Sequence, residues 1–149
     1  LFILPGGVAE IFTSTPGRDC IVFKNRTGLI RLSLETGAHL IPVYVFGGTD
    51  FFQNLATNGG WLAELSRKFK AGLTIFWGPC GQPFIPYTPK CSQIMGEPIP
   101  FPKGYKGPGP DQSDALIKEL HETYLNEISI LFNKYKTIAG KPDAVLEIL

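Results

Sequence analysis

Residues 28–46 read GLIRLSLETGAHLIPVYVF, and two different periodicities meet inside them. Leu29, Leu32 and Thr36 recur at helical spacing and share one face, and Gly37 supplies the backbone freedom that stops a helix. HLIPVYVF then turns to β-branched and aromatic residues, the composition of a strand. Pro42, which has no N–H to give a ladder, places the first half of that strand at an edge or sheet margin.

Working outward, the alternation continues. Upstream, residues 1–4 are short, apolar and cut off by Pro5-Gly6-Gly7, which predicts a buried strand ending in a turn, with Glu10 just past it. Residues 20–23 form a second apolar run. Downstream, Asp50 caps a helical stretch from Phe51 that breaks at Asn58-Gly59-Gly60 and resumes from Trp61 to about Phe69. LTIFW, residues 73–77, reads as another strand. Strand, strand, helix, strand, helix, strand is the order of an α/β layer rather than a bundle or sandwich.

Nine of the 13 prolines lie in residues 78–110, interleaved with Phe84, Tyr87, Phe101 and Tyr105. This predicts an irregular segment packed over the sheet, with one strand around residues 92–99. Ordered loops of such length usually carry a task, which leaves membrane contact or ligand covering open. Residues 111–139 read as a terminal amphipathic helix, because Leu116, Leu120, Tyr124, Ile128, Leu131 and Tyr135 recur every three or four positions behind Asp111 and Asp114. Their stripe is suited to packing on the sheet.

A length of 149 residues with 44% hydrophobic content fits one domain with a core. The first residue is Leu, inside an apolar run, so the chain reads as part of a longer frame, incomplete at its N-terminus. A net charge of +1 gives no reason to expect nucleic acid as a partner. Cys20, Cys80 and Cys91 make no CxxC pair and leave one over in any disulfide scheme, which favours a reducing compartment. No stretch approaches the roughly 20 apolar residues that cross a bilayer, and no signal-peptide layout opens the chain. The absence of a His-Cys cluster, GxGxxG or GxxxxGK sets aside metal and nucleotide sites.

Two sets of residues carry candidate chemistry. Glu10 is a carboxylate flanked by Val8, Ala9, Ile11 and Phe12, where ionisation is costly without a partner, so it is either a working acid or a side chain turned to water. Lys24, Arg26 and Arg31, with Arg18 nearby, surround a helix start at Thr27 or Gly28, either as an anion site or as a solvated basic face. His39, opening a strand, and His121, inside a helix, read as structural. Ser14 lacks the GxSxG elbow of a nucleophile.

At PGGVAE (5–10), NRTGLIRLSLETGAHLIPVYVFGGTDFF (25–52), MGEPIPFP (95–102) and LHETYLNEISILFNKYK (120–136), the chain resembles the type 2 diacylglycerol acyltransferase family, which includes monoacylglycerol and wax-ester acyltransferases. The resemblance implies a glycerolipid-acyltransferase-like α/β fold, a central mixed sheet flanked by helices, with residues 1–149 the C-terminal part of one acyltransferase domain. It implies transfer of a fatty acyl group from acyl-CoA to the free hydroxyl of diacylglycerol, without cofactor or metal, on the cytosolic face of the endoplasmic reticulum and on lipid droplets. The family's catalytic histidine lies in an HPHG motif upstream of PGG, behind membrane-embedded segments, so membrane attachment and general base are both expected outside this chain, and the chain alone should be inactive. Neither histidine here has the Asp five positions on that orients such a base, since those positions hold Tyr44 and Asn126.

On the same resemblance, Glu10 holds the acceptor hydroxyl or orients the upstream base, and Gly6, Gly7, Lys24, Arg26, Arg31 and Pro42 contribute to substrate binding, with the cations on the CoA phosphates. Where the family commonly reads RKGF this chain has Arg26-Thr27-Gly28-Leu29, one cation fewer, and Gly48 stands where an acidic residue commonly follows Phe-Gly. PGGVAEIF lacks the Arg of the EGTRS motif that suits phosphorylated acceptors, in keeping with a neutral one. Monoacylglycerol and wax alcohols remain alternative acceptors, a catalytically silent lipid-binding or lipid-droplet protein is the alternative class, and self-association stays open.

Overall fold

A computed structural model of the chain describes residues 2–13, 15–54 and 75–149, together with Glu64 and Lys68. The fold is mixed α/β. Its elements are α1 (Gly7–Thr13), β1 (Asp19–Ile21), α2 (Gly28–Thr36), β2 (Val43–Phe46), β3 (Gln53–Asn54), β4 (Phe76–Trp77), β5 (Ser92–Met95), α3 (Asp114–Tyr135) and β6 (Leu146–Ile148). β1 pairs in parallel with β6, while β2 with β5 and β3 with β4 are antiparallel. Among the described residues these are three separate two-stranded ladders, so the expected central sheet is not assembled by them.

The organising element is α3. Ser113, in extended conformation, accepts a hydrogen bond from the Leu116 N–H at 3.3 Å, Asp114 sits in the first turn and Lys134 in the last, so caps and charges agree with the helix dipole. That cap starts the helix at Asp114 rather than 111. Its buried stripe runs Ile117, Leu120, His121, Tyr124, Ile128, Leu131, Phe132. The first half packs with Phe23, Ile30, Leu34, Leu40 and Ile99, the second with Tyr44, Phe46 and Ala139. Full burial of each large apolar side chain contributes about 1.5–3 kcal/mol, so α3 joins two clusters that neither α2 nor the β2–β5 ladder could close alone.

The boundaries of α2 match the sequence reading, with Gly37 in left-handed conformation (φ 69°) at its end. Its buried side differs: Ile30, Ser33 and Leu34 face the core, whereas Leu32 is 43% exposed and Thr36 is exposed. Ile30 and Leu34 stand one turn apart and meet α3, and this contact outweighs the Leu29–Leu32–Thr36 spacing.

Other expectations change too. Phe2, Ile3 and Leu4 are exposed and, among the described residues, unpaired, not a buried strand; without a ladder partner there, extension gains them no hydrogen bonds. The chain turns at Pro5-Gly6 directly into α1, which places Glu10 within a helix. Phe51 starts no helix, since Gln53 and Asn54 pair with Trp77 and Phe76. Of the expected helix from Trp61 to about Phe69, only Glu64 and Lys68 are described, both helical, and the start of LTIFW also lies outside the described residues. The strand around residues 92–99 is β5 plus a bridge from Ile99 to Leu40.

Asp50 caps nothing. Its carboxylate accepts the Gly17 N–H at 3.1 Å and pairs with Lys141 at 2.9 Å. Lys141 also lies 3.9 Å from Asp19, a buried carboxylate that accepts the Tyr44 hydroxyl at 2.9 Å. This polar cluster ties β1, β2 and the stretch after α3 to one another.

Candidate functional site

The turn at Pro5-Gly6-Gly7 brings together residues that are distant in sequence. Glu10, half-buried in α1, folds back beneath Gly6, and its Oε1 accepts the Val22 N–H at 3.0 Å. A Cβ on Gly6 would fall 1.7 Å from the Glu10 Cδ, so the carboxylate occupies the space that glycine leaves. Gly7 takes a left-handed φ of 52°, which suits glycine. Arg26, just before α2, donates from Nη1 to the Pro5 carbonyl at 2.7 Å, and the same Nη1 lies 3.5 Å from where a Gly7 Cβ would stand. Gly6, Gly7, Glu10 and Arg26 therefore form one cluster, with a carboxylate and a guanidinium on a turn fixed from both sides.

The other expected binding residues are placed elsewhere. Arg31 pairs with Asp114 of α3 at 3.0 Å, and Arg18 with Glu147, Nε to Oε1 at 3.1 Å. Each thus has its own carboxylate. Lys24 is exposed, and its N–H donates to the Leu149 carbonyl at 2.8 Å. The four cations do not share one site, and Arg26 is the member that reaches the glycine turn. Pro42 is fully buried in the core at the start of β2, against Gly96, whose N–H donates to the Pro42 carbonyl at 2.8 Å.

Both histidines are held as structural groups. His121 is buried, with Nε2 3.1 Å from the Phe23 carbonyl and its ring against Phe23; His39 lies with Nδ1 3.3 Å from the Ile99 carbonyl and its ring against Phe101. Ser14 lies outside the described residues. Among those described, no group of three or more His, Cys, Asp and Glu could hold a metal ion, and no helix is long and apolar enough to cross a membrane.

Sequence reasoning missed one feature. A groove of about 300 Å³ runs between the segment before the glycine turn and α2, lined by Ile3, Pro5, Phe23, Arg26, Gly28, Leu29 and Leu32. The signal was present in the Leu29–Leu32 spacing, which the sequence places on one helical face without showing what covers it. Groove and cluster share Pro5 and Arg26. At the adjoining start of α2, Thr27 makes no side-chain cap, so the first-turn N–H groups receive no acceptor from it.

A carboxylate acceptor, a guanidinium and an apolar groove at one glycine turn make up the kind of site that handles an amphiphile. The chain belongs to the diacylglycerol acyltransferase family, whose match spans residues 1–149. It is 34% identical over 151 residues to acyl-CoA wax alcohol acyltransferase 2 of Homo sapiens, covering 94% of this chain and 43% of that protein. To diacylglycerol O-acyltransferase 2 it is 33% identical over 164 residues in Homo sapiens (99% of this chain, 40% of that protein) and 34% over 149 residues in Danio rerio (93% and 40%). The chain thus spans about two fifths of the length of these relatives. No solved structure matches it.

Proposed function

We propose that this chain is the C-terminal part of an acyltransferase domain that moves a fatty acyl group from acyl-CoA to the free hydroxyl of diacylglycerol, forming triacylglycerol. The observation that carries the reading is the convergence of Gly6, Gly7, Glu10 and Arg26 on one turn, in a chain that matches the family throughout. The general base, a histidine, is supplied by a preceding part of the polypeptide, whose strands also complete a central mixed sheet. It takes the proton of the acceptor hydroxyl as that oxygen attacks the thioester carbonyl; the tetrahedral oxyanion then collapses and CoA thiolate leaves.

Glu10 has one oxygen committed to the Val22 N–H. Oε2 is the atom that accepts from the acceptor hydroxyl or from the base's ring N–H, holding either in line. Arg26 and the exposed Lys24 meet the phosphates of the donor. Because acyl donor and acceptor both partition into lipid, the site works at a membrane surface, on the cytosolic face of the endoplasmic reticulum and on lipid droplets. Phe84, which is 89% exposed, and Ile85 beside it suit contact with that surface.

A long-chain alcohol as acceptor is the second reading, favoured by the wax alcohol relative at the same level of identity. The test presents labelled oleoyl-CoA to membranes carrying the complete protein, with diacylglycerol, monoacylglycerol or hexadecanol as acceptor. Triacylglycerol should dominate, and Glu10→Gln should reduce turnover about a hundredfold, the lower end of what acid–base groups contribute, with membrane targeting unchanged. Wax ester as the main product selects the second reading. Acyl-CoA binding without product from any acceptor replaces both with a lipid-binding protein, and wild-type turnover in Glu10→Gln removes the role given to Glu10.

A further inference from the structure

Helix α2 carries apolar residues on two sides, and the fold uses one of them. Ile30 and Leu34 are fully buried against α3, while Leu32, off the core, and Leu29, partly buried at its edge, form the wall of the groove. A surface helix ordinarily turns polar residues to the side away from the core. Across the groove stand Ile3 and Pro5, Phe23 lines it as well, and Gly28 adds no side chain. The one charged lining residue is Arg26, which the bond to the Pro5 carbonyl ties to the glycine turn.

We infer that this groove holds the hydrocarbon chain of the acyl donor, and that Leu29 and Leu32 set the chain length the enzyme prefers. The inference rests on the acyl transfer proposed above. Three features select the donor's chain. A volume of about 300 Å³ lies at the small end of ligand sites, which run from about 300 to 1,000 Å³, so it suits one flexible chain rather than the two tails of diacylglycerol. Arg26, with Lys24 close in sequence, supplies a cation beside the Glu10 carboxylate, and of the two substrates the donor is the one whose phosphates a guanidinium can meet. The groove also shares Pro5 and Arg26 with the Glu10 cluster, so a chain lying along Leu29 and Leu32 has its thioester end at the carboxylate.

Leu32 is the position to change, because it is 43% exposed and makes no part of the buried core. In the complete membrane-bound protein, Leu32→Trp should lower kcat/KM for hexadecanoyl-CoA by about tenfold relative to octanoyl-CoA, the discrimination expected when a pocket loses room for a methylene or more. Leu32→Ala, which cannot clash, should move the preference toward longer chains. Hexadecanoyl-CoA with a photoreactive diazirine at its methyl end should label residues 29–32 or 3–5. A chain-length profile unchanged in both variants, or label confined to other segments, overturns the inference; the groove is then covered by another part of the polypeptide or by a second copy. Wild-type protein that transfers neither chain defeats the proposed reaction itself, a result distinct from normal transfer with an unmoved profile.

Discussion

Replacing Gly6 by Ala tests whether this glycine exists to make room for Glu10. The Gly6 backbone lies outside the left-handed region, so alanine has no conformational objection, and its entropic effect on the unfolded chain stabilises by about 0.4–1 kcal/mol. The new Cβ, however, would sit 1.7 Å from Cδ and 1.9 Å from Oε1 of Glu10, with no backbone atom among its nearest neighbours. The carboxylate must swing away, which breaks its bond to the Val22 N–H. A hydrogen bond to a charged group contributes about 1.5–3 kcal/mol, so Gly6→Ala should cost about 1–2 kcal/mol net. In a Glu10→Ala background the obstacle is gone, and the same change should be neutral or slightly stabilising. Urea denaturation of the four proteins in the cycle gives a coupling energy of about 1.5–3 kcal/mol on this account. Equal costs of Gly6→Ala in both backgrounds would refute it, because the strain would then lie in the turn and not in the carboxylate.

Tyr44→Phe removes the hydroxyl that Asp19 accepts at 2.9 Å inside the core, leaving a buried carboxylate with Lys141 at 3.9 Å; unfolding free energy should drop by about 1–3 kcal/mol in denaturant titration. Burial pushes the Asp50 carboxyl up, but the Lys141 ammonium, the Gly17 N–H and the Thr49 hydroxyl together bring it below its ordinary 3.8. The unfolded chain therefore binds that proton at higher pH than the folded one, so the stability from Asp50 is complete above 3.8 and drains away as pH falls through the lower folded value. Melting temperatures from about pH 5 down to about pH 2.5 should fall less steeply for Lys141→Met than for wild type, and parallel curves would remove this ion pair from the acid response.

Local signals in the sequence were read well where one element decided its own form. Gly37 ends α2 because only the left-handed backbone suits that position, and the apolar spacing from Leu116 to Tyr135 needs no partner to announce a helix, although Ile117 and Phe132 rather than Leu116 and Tyr135 end its buried stripe. What failed depended on partners. Residues 2–4 look like a strand but have no ladder partner among the described residues, and the shared face of Leu29 and Leu32 did not announce that Ile30 and Leu34 make the fully buried side of α2, because spacing does not reveal which of two apolar faces a neighbour will cover. The site divides in the same way. Glu10 with its two glycines is compact in sequence and was recognisable; that Arg26 joins it while Arg18 and Arg31 pair with Glu147 and Asp114 depends on residues far along the chain.

Strand β1 has its partner in β6, and Arg18 and Glu147, joined beside that ladder, are 129 positions apart. The carbonyl of Leu149 accepts from the N–H groups of both Phe23 and Lys24, which lie between Val22 and Arg26. The segment that bears the site is thus fixed only when residues far along the chain pair with it, a closure that is slow because it is so non-local. A polypeptide cut before residue 146 would keep every candidate site residue and lose the backbone that β1, Phe23 and Lys24 pair with.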